Sequence, residues 1–125
     1  MRRESKMTTL WNQYCRSKPF YGVCELKQTN SQKFYFHSFE PHQITSLMAI
    51  EENGFVWKFS DQDQRLKPCD MMSIGATPAY VVIGFPDRII AIRVTDFVNF
   101  MNNTANTYIL MDEAQEISDQ VILLK

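Results

Sequence analysis

The chain lacks paired cysteines, a long apolar run and any excess of positive charge. Cys15, Cys24 and Cys69 are three in number with no CxxC spacing, so free thiols are expected rather than a disulfide framework or a zinc site. Only His37 and His42 stand beside them as soft-metal ligands. No apolar stretch approaches the roughly 20 residues that span a bilayer. The basic start, Met1-Arg2-Arg3-Glu4-Ser5-Lys6, is not followed by an apolar h-region and does not read as a signal peptide. No membrane association is expected, and the cytoplasm is the expected compartment. The net charge of −1 is low for a nucleic-acid enzyme, because affinity for phosphates comes largely from Lys and Arg. Repeats, low-complexity tracts and linkers are also absent from the sequence.

What remains is a soluble, globular composition, 45% hydrophobic and 22% charged over 125 residues, long enough for one domain spanning 1–125 with its own core. Charge is unevenly placed. Residues 1–33 hold Arg2, Arg3, Lys6, Arg16, Lys18, Lys27 and Lys33 against Glu4 and Glu25, whereas 111–120 hold Asp112, Glu113, Glu116 and Asp119 without a base. A local positive face on a neutral molecule is compatible with this, as is ordinary solvated surface.

Met7, Leu10, Trp11 and Tyr14 recur at helical spacing and predict a helix over 3–16, stopped by Pro19. Residues 20–28 read as a strand, and 33–36 as a second short one after the Asn30-Ser31 turn. Pro41 opens a helix over 40–52 with Ile44, Leu47, Met48 and Glu51 on one face, and Asn53-Gly54 closes it. Residues 55–59 alternate as a strand. Strands over 69–74, 79–85 and 88–94, separated by short breaks, suggest antiparallel hairpins. Thr95 suits the cap of a helix over 96–101, 102–107 reads as a loop, 112–118 as a last helix and 121–124 as an apolar tail. The expected class is α/β or α+β, a small mixed β-sheet flanked by helices.

Within the first strand, a period of two puts Glu25 and Lys27 on one face and Gly22, Cys24 and Leu26 on the other, towards a core. A carboxylate and an ammonium side by side on a rigid strand suit phosphodiester hydrolysis. The acid would hold Mg²⁺, a hard cation taking few carboxylates together with water and phosphate oxygens, and the lysine would orient the attacking water or neutralise developing charge. One acid is insufficient. Asp70, at the start of a strand amid apolar residues, is the first candidate for the second; Asp61 and Asp63 lie in a polar loop, and Glu4 on the first helix is a further option. Gln43 is placed to hold a metal-bound water or a phosphate, and His42 reads as a phosphate contact or, more commonly for such a residue, a hydrogen-bonded core histidine. The Glu-x-Lys pattern alone is weak, since Glu4-Ser5-Lys6 repeats it.

Glu25-x-Lys27-x-Thr29, then Phe34-x-Phe36, then Phe39-x-x-His42-Gln43-Ile44 resemble Holliday-junction resolvases of the RecU type, where an ExKxT strand is followed by a helix opening with HQI. Trp57-Lys58-Phe59-Ser60-Asp61, Lys67-Pro68-Cys69-Asp70 and Ala79-Tyr80-Val81-Val82-Ile83 resemble short phage and bacterial relatives of that group. The resemblance covers about residues 20–97 and extends to the Glu113–Ile122 tail. It implies the PD-(D/E)xK, restriction-endonuclease-like fold, a homodimer, and cutting of branched DNA in recombination or repair with Mg²⁺, or Mn²⁺ in its place. The candidate catalytic set is then Glu25, Lys27, Asp70 and Gln43; the candidate metal ligands are Asp70, Glu25 and Glu4; and His42, Thr29 and Lys33 are candidate nucleic-acid contacts. Tyr35, Phe34, Phe36 and Trp57 are available to stack on unpaired bases, to form the dimer contact or simply to fill the core.

One departure stands out. The standard fold carries its first acid on a strand just before ExK, and here only Lys18-Pro19-Phe20 lies between the first helix and that strand. Asp70 is the natural substitute if the strand it opens lies beside the ExK strand. The alternative is a catalytically inactive nuclease-fold module that binds DNA or protein. A third reading, an unrelated regulatory homodimer, makes Glu25–Lys27 a surface ion pair worth under about 1 kcal/mol.

Overall fold

The computed structural model describes residues 3–17, 22–58 and 71–124, with side chains left undescribed at 3–5, 55–58 and 71–74. The order is α1 (Arg3–Ser17), β1 (Val23–Gln28), β2 (Lys33–Tyr35), a 3-10 turn (Phe36–Ser38), α2 (Pro41–Asn53), β3 (Phe55–Lys58), β4 (Met71–Ile74), β5 (Ala79–Gly84), β6 (Arg88–Arg93), α3 (Val94–Asn103), β7 (Tyr108–Leu110), α4 (Met111–Glu116) and β8 (Gln120–Leu123).

The main sheet has the order β1-β5-β6-β8. Its β1–β5 pair is parallel and its other two pairs are antiparallel. Parallel neighbours need a long crossover, and α2 supplies it, packing against both strands. The β5–β6 hairpin closes tightly, with Phe85 N–H donating to Arg88 O at 2.8 Å. The class is therefore a mixed sheet flanked by helices, as expected.

Alternation along the strands divides the core in two. Ala79, Val81, Ile83, Ile90 and Ile92 face α2, α3 and the β2–β7 ribbon, where they meet Phe34, Phe39, Leu47, Phe97 and Ile109. Tyr80, Val82, Ile89 and Ala91 face α1, where they meet Met7 and Trp11. Because β5 is covered on both faces it reads as one continuous apolar run, the pattern of a buried strand. Helix α1 approaches closely at Gly84, where an added Cβ would lie 2.5 Å from Met7 Sδ.

Three expectations are corrected. The strand after Asp70, β4, pairs antiparallel with β3, Met71 opposite Lys58, and makes no hairpin with β5. The approach to β5 serves β1 instead, since Pro78 O accepts from Val23 N–H at 2.9 Å. Helix α3 begins at Val94 rather than after a Thr95 cap, because the Val94 side chain is drawn into the core. Directly after the expected 102–107 loop, β7 adds an unforeseen partner to β2, and the apolar tail is β8, a fourth strand of the main sheet.

Candidate active site

Strand β1 lies at one edge of the main sheet, and its alternation sorts its residues as expected. Cys24 and Leu26 pack on the α1 side. Val23 packs on the α2 side, so Glu25 and Lys27, at the same parity, also face α2. They stand opposite Val81 and Ile83 of β5, which fixes their height on the sheet.

Three polar groups meet here. Gln43 Nε2 donates to Glu25 Oε1 at 2.9 Å, and Lys27 Nζ lies 3.7 Å from the same oxygen. Among the described residues Glu25 Oε2 takes no hydrogen bond, while the side chain keeps 34% of its surface exposed. That oxygen is thus available to a ligand. Lys27 is held from below: its Nζ sits 5.6 Å from the centre of the buried Phe39 ring, within cation–π range.

The Gln43 amide is oriented by the helix it opens. Gln43 occupies the third position of α2, and its Oε1 accepts from Glu40 N–H at 3.0 Å, one half of a capping box. With the oxygen turned to the cap, the NH₂ group must point at Glu25. Glutamate would serve the cap equally well but would set a second carboxylate against Glu25. Glutamine is the residue that satisfies both neighbours, a role the sequence reading missed although Glu40-Pro41-His42-Gln43 carries the spacing.

The other expected site residues distribute as follows. His42 is neither core nor part of this cluster: it is exposed, its Nδ1 3.4 Å from Glu40 Oε2, because it lies on the solvent side of the first turn of α2. Thr29 closes the turn after β1, its hydroxyl donating to Lys33 O at 2.7 Å and accepting from Ser31 N–H at 3.3 Å. Lys33 is exposed on β2 with Nζ 4.5 Å from the centre of the Tyr108 ring. Asp70, with Asp61 and Asp63, lies outside the described residues. The inferred placement of its strand beside β1 does not hold, since β4 pairs with β3 and β1 with β5. Glu4 belongs to α1, the helix that covers the opposite face of the sheet from Glu25. Of the aromatic candidates, Phe34 is core and Tyr35 is exposed; Phe36 is half-buried against Phe97, and the Trp57 side chain is among those not described.

A second ion pair went unforeseen. Glu51, on the apolar face of α2, is 11% exposed, and Arg93 Nε donates to its Oε1 at 2.8 Å. Its other oxygen, Oε2, is buried without a hydrogen bond. An acid at the seventh position after Ile44, in register with Leu47 and Met48, was the visible signal. The pair ties α2 to the end of β6.

The cluster suits a hard cation in part. Mg²⁺ needs one or two carboxylates, with water and phosphate oxygens completing its shell, and Glu25 Oε2 offers one such position. Among the described residues no group of three His, Cys, Asp or Glu side chains comes together. The site is part-exposed, with 24% of the Lys27 and 34% of the Glu25 side-chain surface open to solvent. Neither the apolar cavity beneath α1, bordered by Met7, Leu10, Gly84 and Phe85, nor the polar one between α3 and α4 is lined by Glu25, Lys27 or Gln43. Enclosed pockets are the mark of small-molecule sites, whereas an open sheet edge suits an extended polymer. No helix among the described residues is long and apolar enough to cross a membrane. Comparison with protein-family models, curated proteins and solved structures finds no significant match.

Proposed function

We propose that the protein is a metal-dependent DNA endonuclease of the Holliday-junction-resolvase kind, acting in the cytoplasm on branched DNA as a homodimer. The observation that carries this reading is the convergence of Glu25, Lys27 and Gln43: three residues drawn from two motifs 18 positions apart meet at one carboxylate oxygen. The parallel β1–α2–β5 unit supports it as well, because the PD-(D/E)xK fold suggested by the sequence likewise follows its ExK strand with a helix.

In this reading Glu25 would hold Mg²⁺ or Mn²⁺ together with a second carboxylate, for which Asp70 is the candidate that the sequence offers although its strand does not pair with β1. When bound there, such a metal would supply Lewis-acid chemistry at the scissile phosphate. Lys27 faces the phosphate and offsets charge that builds on its oxygens. Gln43 is a positioning residue, which keeps the Glu25 carboxylate in one rotamer through a bond the helix cap has already oriented. His42, Thr29 and Lys33 lie towards the DNA backbone, and a two-fold dimer matches the two symmetric scissile phosphates of a junction.

A second reading, an inactive nuclease-fold module that binds DNA or protein, is favoured by one observation: among the described residues Glu25 belongs to no group of three or more His, Cys, Asp or Glu side chains that could hold a metal. The two separate in one assay. Purified protein is incubated with labelled four-way junctions, flaps and duplex in Mg²⁺, in Mn²⁺ and in chelator. The nuclease reading expects cutting of a branched substrate in metal only; binding without cutting in either metal selects the module.

A further inference from the structure

The β2–β7 ribbon has one face in the core and one in solvent. Phe34 and Ile109, paired across it, are buried. The alternate pairs, Lys33 opposite Leu110 and Tyr35 opposite Tyr108, therefore turn outwards. Tyr35 and Leu110 are 40% and 37% exposed, two of the three exposed large hydrophobic side chains among the described residues, and they sit diagonally on this one face. Neighbouring apolar exposure of this kind marks an interaction site more often than scattered single residues do.

The patch is ordered and carries positive charge. The Tyr35 and His37 rings stack at 5.4 Å with 25° between their planes, and Tyr108 meets Tyr35 edge-on at 5.7 Å. Lys33 Nζ caps the Tyr108 ring at 4.5 Å. None of the five residues is acidic; the neighbouring Glu113 accepts from Leu110 N–H at 3.0 Å through Oε1, as part of the cap of α4. Flat aromatic faces beside a cation are what a single nucleic-acid strand requires: bases stack, phosphates pair with the cation, and no base is read by sequence. The ribbon also follows the candidate site directly in the chain, because the turn fixed by Thr29 joins the strand of Glu25 and Lys27 to Lys33.

We propose that the outer face of the β2–β7 ribbon binds single-stranded DNA, with an unpaired base extending the Tyr35–His37 stack and a phosphate drawn to Lys33. This deepens the nuclease reading and rests on it for the partner class: the ribbon would hold the unpaired bases at a branch beside Glu25.

The test is fluorescence anisotropy with a labelled oligothymidine and a duplex of equal length, in EDTA so that nothing is cut. Wild type is expected to prefer the single strand. Tyr35→Ala should weaken that binding about five- to a hundredfold, the range for loss of one stacked base. Tyr35→Trp should retain it, and Lys33→Ala should flatten the salt dependence by about 0.7 in log–log slope. If Tyr35→Ala fails to fold, Lys33→Glu carries the test with the same expected loss. Three outcomes overturn the proposal: no preference for the single strand, unchanged affinity in the Tyr35 and Lys33 variants, or a Tyr35-dependent change in sedimentation with no change in DNA affinity, which would make the patch an interface between copies. The readings separate cleanly. Tyr35-dependent binding without cutting in metal upholds the ribbon and removes the nuclease; Glu25-dependent cutting with Tyr35-independent binding does the reverse.

Discussion

The two parallel neighbours β1 and β5 share a ladder but not a character. Every residue of β5 is buried, whereas every residue of β1 is only half-buried, and two of those side chains are charged. The central strand is sealed by α1 on one face and by α2 with α3 on the other, so apolar burial at about 25 cal/mol per Å² concentrates there. The edge strand is sealed on the α1 face and left part-open on the other, where a charge can be solvated and still be aimed. Close packing is thus concentrated at the centre, while the edge keeps its charged side chains part-exposed. Substitutions at the two places should fail differently: one unfolds the chain, the other leaves it folded and inert.

The largest expected effect is at the centre. Phe97 is fully buried and takes the edges of Phe36 and Phe39, so Phe97→Ala should cost about 3–5 kcal/mol, read from the urea midpoint. A loss below about 1 kcal/mol would mean that this face is not the close-packed centre.

The sealed face of β1 offers the next test. Burial on the α1 side pushes the Cys24 thiol from 9.0 to about 12, with Cys15 adding to the rise and a Trp11 hydrogen bond opposing it. The thiol form is therefore favoured by folding. The associated stability is complete below pH 9 and is lost as pH rises from there towards 12. Alkylation of Cys24 at pH 8, followed by peptide mass spectrometry, should run about a hundredfold or more slower in the folded protein than in denaturant. Equal rates would show that α1 does not seal this face.

Gln43 lies between the two regimes, since it serves both the helix and the site. Gln43→Ala should destabilise by about 1 kcal/mol through the lost cap. Gln43→Glu should keep the cap but weaken any Glu25-dependent activity by placing a like charge at 2.9 Å from its oxygen. Equal activity in Gln43→Glu and wild type would detach Gln43 from the site. The smallest stability effect belongs to Glu25 itself: Glu25→Gln should move the urea midpoint by less than about 1 kcal/mol, as for a part-exposed ion pair.

Legibility in the sequence followed the range of the forces involved. Helix α2 was readable because Pro41 and Asn53-Gly54 are local signals, and the facing of Glu25 and Lys27 was readable because strand parity is local. That Gln43 would stand with them was implied only by the resemblance, and the hydrogen bond that joins it to Glu25 is a tertiary contact. The oxygen-to-cap orientation of Gln43 was missed because the capping residue is Glu40 rather than the usual Ser or Thr. The pairings of β7 with β2 and of β4 with β3 are tertiary choices. Tyr108-Ile109-Leu110 is too short to announce a strand, and the closeness of β4 to β5 in the chain suggested a hairpin that the β1–β5 ladder pre-empts.

The central claim is that the edge carries chemistry independent of stability, and one measurement meets it directly: the single-turnover rate of four-way-junction cutting in Mg²⁺ by wild type and Glu25→Gln, at concentrations where both are folded and bound. The account predicts that wild type cuts and that the variant, with a stability within about 1 kcal/mol of wild type, is slower by at least about a hundredfold. Equal rates in the two proteins, or no cutting by the wild type, would contradict it.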